Sequence, residues 1–134
     1  MFQEILQGGG SGSVEIETLW ERDDNTTPFS AQTIPLDLSK YTSIGVLAIV
    51  YSYNSSYKSN PIVYKELNVG NSAILTGVQR SPANGNYFMK REVSCNNNGV
   101  TFGNGLDDGA NDNFAILPVC IFGLKRDAKY TYGI

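Results

Sequence analysis

The segment "IGVLAIVY", residues 44–51, is apolar on both faces of any strand it can form. Successive side chains of a strand alternate, so Ile44, Val46, Ala48 and Val50 face one way and Gly45, Leu47, Ile49 and Tyr51 the other. A chain of 134 residues builds one small domain, and only one face of this strand can enter its core. Leaving Leu47 and Ile49 in water forgoes roughly 1.5 to 3 kcal/mol of burial for each. Such a face marks a contact surface. Two covers are open to it: a loop or the N-terminal peptide of the same chain, or identical copies closing a ring. The expectation adopted is self-association, with Leu47, Ile49 and Tyr51 at the interface.

The rest of the chain reads as short strands separated by turn residues. "VEIETLW" (14–20) alternates as a half-exposed strand does. "FSAQTIPLDLSKY" (29–41) places Ile34, Leu36 and Leu38 at a spacing of two, and Pro35, which has no N–H for a ladder, predicts a sheet edge or a bulge. "IVYKELNV" (62–69), "SAILTGV" (72–78) and "YFMKREVSC" (87–95) follow. "NNNG" predicts a hairpin into "GVTFG" with Gly99 at positive φ; "NGLDDGANDN" (104–113) reads as a polar loop and "FAILPVCIFGL" (114–124) as a closing strand broken by Pro118. Eight or nine such strands with no helical period predict an all-β chain: an antiparallel β-sandwich, jelly-roll-like.

Residues 1–13 stand apart. "MFQEILQ" is a short apolar-polar peptide, and "GGGSGS" (8–13) is a coil that cannot pack. The division expected is an anchoring peptide and tether over 1–13 and a sandwich domain over 14–134, with Phe2, Ile5 and Leu6 docking into another protein. The opening residues lack the basic and apolar regions of a secretory signal, and no stretch has the length of a membrane span, so a soluble protein made in the cytosol is expected, without membrane insertion.

The chain has no histidine, which removes Ser-His-Asp and Cys-His nucleophile systems and the usual near-neutral proton shuttle. Ten basic residues against 13 acidic ones, without a basic cluster, argue against nucleic acid as a partner. Cys95 and Cys120 read as free, buried thiols. Asp107, Asp108 and Asp112, with Asn111, are weak candidates for a Ca²⁺ site, but they miss the spacing of a calcium loop and suit turn formation better; no cofactor is expected. Glu15, Glu17, Glu66 and Glu92 could be paired as glycosidase carboxylates but fit solvent-facing strand positions. Tyr53, Asn54 and Tyr57 in "YSYNSSYKSN" join rings to amides, the chemistry that holds a sugar, and are the candidate glycan-binding residues; packing at strand ends or between subunits is the alternative for the tyrosines, as a core or interface anchor is for Trp20.

The order of "TLWE" (18–21), "PFSAQTIPLDLSKYTSIGVLAI" (28–49), "NNGVTFGNG" (97–105) and "ILPVCIFGLK" (116–125) resembles a module found in structural proteins of bacteriophages and prophages, where it forms the C-terminal part of tail-fibre, baseplate or minor structural proteins. The resemblance spans nearly all of residues 18–125 and rests on short structural motifs. It implies a homotrimeric knob on a tail or head fibre, resident in the virion and assembled in the bacterial cytoplasm, with other virion proteins and a host-surface glycan as partners. The long fibre shaft that usually precedes the module is replaced here by tag and tether, which suits a short decoration or fibre protein. A carbohydrate-binding module is the alternative function.

Overall fold

A computed structural model describes residues 14–24, 26–50, 61–81 and 85–126. Among the described residues ten strands run β1 (Val14–Glu21), β2 (Gln32–Pro35), β3 (Ser43–Ile49), β4 (Ile62–Asn68), β5 (Ser72–Ser81), β6 (Gly85–Asn96), β7 (Gly99–Phe102), β8 (Leu106–Asp107), β9 (Ala110–Asn111) and β10 (Leu117–Arg126). They form two antiparallel sheets packed face to face, the β-sandwich that the turn spacing predicts. Among the described residues no helix is long and apolar enough to cross a membrane.

Sheet A has the order β1-β10-β3-β4. In sheet B, β5 takes one edge of β6 over the whole of Ser72–Ser81. The other edge of β6 is shared end to end by β7 at Val93–Asn96 and by β8 at Met89–Lys90, with β2 beyond β7 and β9 beyond β8. Pro35 closes the short edge strand β2, where its missing N–H costs no central ladder bond. Leu36 and Leu38 lie past the strand, although their spacing extends it; their N–H groups instead bond the Asn98 and Asn97 carbonyls.

The core is the set of inward residues of both sheets. Ile44, Val46 and Ala48 of β3 meet Leu75 of β5, Met89 and Val93 of β6, and Val100 and Phe102 of β7, all buried. Phe29, in the loop before β2, packs edge-on against Trp20 at 6.0 Å and Phe102 at 5.4 Å between ring centroids. Trp20, partly buried, thus packs against the core as an anchor. Cys95 and Cys120 are free and buried.

Two features depart from the sequence reading. The polar stretch 104–113 contains the hairpin β8–β9, turning on Asp108 (φ 49°) and Gly109 (φ 86°), the left-handed pair that a two-residue turn demands. Its strands of two residues are too short to show a period. At Gly99 φ is 159°, close to extended; what requires glycine is the Ile34 carbonyl, whose oxygen lies 2.5 Å from where a side chain would begin.

One end of the sandwich is closed by Tyr41, which covers Gly123 and donates its hydroxyl hydrogen to Glu17. Burial, followed by the Glu17 carboxylate, pushes the Tyr41 phenol up to about 12. The unfolded chain then releases this proton near the usual phenol pKa while the folded one retains it. Between pH 10 and 12 the folded state binds more protons, so stability falls as pH rises. Urea titrations across that window should show a decline that is smaller in Tyr41→Phe; equal slopes for the two proteins contradict the assignment.

Candidate contact surfaces on the two outer faces

Partner residues across antiparallel strands point to the same face, so the registers assign the outer surfaces. On sheet A, Gly45 is opposite Phe122 and Glu66, Leu47 opposite Cys120 and Tyr64, and Ile49 opposite Ile62. Leu47 and Ile49 are half-buried, Cys120 and Leu124 are buried, and Ile62 is 67% exposed. Part of the cover for the two-sided strand is thus internal. The Tyr64 ring lies over Gly45, where a side chain would collide with it. Tyr51, the third expected interface residue, lies outside the described residues, as do Phe2, Ile5 and Leu6 and the glycan candidates Tyr53, Asn54 and Tyr57.

The outer face of sheet B has more exposed apolar side chains. On β5, Ile74 and Val78 are about half exposed; on β6, Phe88, opposite Val78, is 60% exposed. Between them Lys90 is opposite Thr76, and Glu92 is opposite Ile74. At the far end Ser72, Ser94, Thr101 and Thr33 form one row of hydroxyls across four strands, with Thr33 and Thr101 hydrogen-bonded at 2.8 Å. A hollow of about 460 Å³ opens beside this row, bordered by Ile74 and Glu92 and reaching Gly103. The alternation of "SAILTGV" places Ile74, Thr76 and Val78 on one face; the sequence reading gave that face no role.

Opposite in character, the inner face of β6 carries Arg91, fully buried between Met89 and Val93. Its five N–H groups meet five backbone carbonyls: Nε to Ile116 at 2.7 Å, Nη1 to Phe29 at 2.9 Å and Gly103 at 2.7 Å, and Nη2 to Ala115 at 3.0 Å and Asn113 at 3.2 Å. Arg22 and Arg91 both lie over the Phe29 ring, at 5.3 and 5.4 Å from its centroid. Burial, then the charge of Arg22, pushes the Arg91 guanidinium down to about 10, so it stays charged at neutral pH. Ile116 takes φ 48°, a left-handed conformation costing a β-branched residue roughly 1 to 2 kcal/mol. The bond from Arg91 and burial of the Ile116 side chain hold it there. Sequence reasoning missed this hub, although the alternation of "MKREVSC" points Arg91 inward with Met89, Val93 and Cys95.

The acidic candidates serve the backbone. Asp108 Oδ1 accepts the Phe88 N–H, Asp112 Oδ1 the Phe114 N–H, and Asn113 Oδ1 the Gly105 N–H. Burial, then the charges of Asp108 and Asp112, pushes the Asp107 carboxyl up. Among the described residues no group of three or more His, Cys, Asp and Glu is placed to hold a metal ion. Nor do the four glutamates pair across one cleft. Glu66 and Glu92 stand on opposite outer faces of the sandwich, and Glu17 is engaged by Tyr41 and, at 3.9 Å, by Lys40.

No family model matches the chain, and comparison with curated proteins and with solved structures finds no match.

Proposed function

We propose that this chain is a non-enzymatic structural protein of a bacteriophage virion, a β-sandwich knob on a tail, baseplate or head fibre that works by surface contact. The observation that carries the reading is the surplus of large apolar groups outside a complete core. Ile62 on one outer face and Ile74, Val78 and Phe88 on the other remain exposed although both sheets already bury their inner residues. Exposed groups of this kind are used in contacts. The resemblance to phage fibre modules supplies the setting. In that setting the peptide with Phe2, Ile5 and Leu6 joins the knob to other virion proteins through the "GGGSGS" tether, three copies associate around the outer face of sheet A through Leu47 and Ile49, and the free side reaches the host surface, where a glycan is the candidate ligand.

Co-purification with particles tests the proposal. Density-purified virions from the host that carries this gene are expected to contain the chain, and particles that lack it contradict the proposal.

A further inference from the structure

The outer face of sheet B bears an exposed ring, a hollow and, next to each other along the face of β6, Lys90 and Glu92, in an order that has a symmetry consequence. Two strand glycines of sheet A are covered by aromatic rings: Tyr64 lies over Gly45 and Tyr41 over Gly123. Gly103, just past β7, is not. The nearest atoms to its missing side chain belong to Glu92, at 3.6 Å, and the hollow opens there. Phe88 is the exposed ring on this face. It stands four residues along β6 from Glu92, about 13 Å, too far for its ring to reach the hollow of its own chain.

We propose that this face is a two-fold interface between copies of the chain, in which each Phe88 ring seats in the hollow of the other copy. The axis lies in the plane of the interface and crosses β6 at Arg91. It sets the two β6 strands antiparallel, bringing Phe88 over the level of Ser94 in the second copy and Lys90 opposite the partner's Glu92. A single operation makes both ring-in-hollow contacts and both ion pairs, as a self-complementary patch requires. An axis along β6 instead stacks Lys90 on its own symmetry mate, and the like charges oppose it. Packed sheets cross at about 30°, which moves a ring ~10 Å from the axis sideways by about one strand spacing, the lateral reach the hollow needs. The patch, about 20 Å along the strands and four strands wide, covers on the order of 800 Å² over both copies, below the standard size of a stable interface, so association is weak and depends on concentration.

The inference goes beyond the virion reading and stands apart from it. Without association through sheet A the product is a dimer; a trimer closed through sheet A is cross-linked by this contact into larger assemblies. The test is sedimentation velocity on the intact chain from low micromolar to submillimolar concentration, with circular dichroism to confirm that each variant is folded. The parent mass is expected to double with concentration. Lys90→Glu or Glu92→Lys alone places like charges opposite and weakens the doubling by about tenfold or more, and Phe88→Ser abolishes it. The double variant K90E/E92K restores it, and the two single variants associate more tightly when mixed than either does alone. A parent mass that does not change with concentration, or a doubling unaffected by the single charge reversals or by Phe88→Ser, overturns the proposal.

Discussion

Replacing Arg91 with methionine is expected to lower the unfolding free energy by about 3 to 5 kcal/mol. Methionine fills much of the volume and removes the cost of burying a charge, yet it takes the guanidinium donors from the Phe29, Gly103, Ala115 and Ile116 carbonyls and leaves the Asn113 carbonyl with the Phe29 N–H alone. These carbonyls come from three separate stretches of chain, and no other group is shown to bind them all. A buried polar group left without a partner costs roughly 1 to 3 kcal/mol. Against the 5 to 15 kcal/mol of a typical domain, the loss is large, and urea denaturation measures it directly. Arg91→Lys is expected to fall in between, because an ammonium has three donors on one atom and cannot span the five positions of the fork. Should R91M unfold within about 1 kcal/mol of the parent, the guanidinium is not the hub assigned to it.

The second large effect is expected at Gly105. A side chain there begins well inside contact distance of the Asp112 carbonyl oxygen, 2.7 Å from that of Ala115 and 2.8 Å from Arg91 Nη2. None of these can yield cheaply, because the Ala115 carbonyl is itself held by Arg91 and Asp112 N–H bonds back to the Gly105 carbonyl at 2.8 Å. Gly105→Ala should therefore cost about 2 to 4 kcal/mol. Gly109, at the tip of the β8–β9 hairpin, provides the comparison: φ is 86° and nothing lies within 4 Å of the added carbon. There alanine meets only the left-handed backbone cost of about 1 kcal/mol. Equal losses at the two positions contradict the view that the 103–116 segment is locked around the guanidinium.

How much of this could be read from the residues varies with the range of the interaction. Alternation places Ile44, Val46 and Ala48 inward on β3 and separates Lys90 and Glu92 from Met89 and Val93 on β6, and turn residues mark most of the strand ends. These are local patterns with a period of two. The hub at Arg91 is half legible. Its inward register follows from "MKREVSC", but its partners lie up to 62 residues away in sequence, in loops whose carbonyl directions no pattern records. The cover of the two-sided strand was out of reach for the same reason. Tyr64 reaches Gly45 only because β4 is the neighbour of β3, and strand order is absent from a single sequence. The exposed ring and hollow on sheet B need both things at once, the alternation of β5 and β6 and the knowledge that Gly103 ends beside Glu92.

As the virion knob proposed, the chain acts through attachment and surface contact. The most direct test is the copy number of the chain in purified particles, measured by quantitative mass spectrometry for the intact chain and for a variant lacking residues 1–7. The account predicts that the intact chain is present in a fixed ratio to the major virion proteins and that the shortened chain is folded in the lysate but missing from the particles. Particles without the intact chain, or particles that incorporate the shortened chain equally well, contradict it.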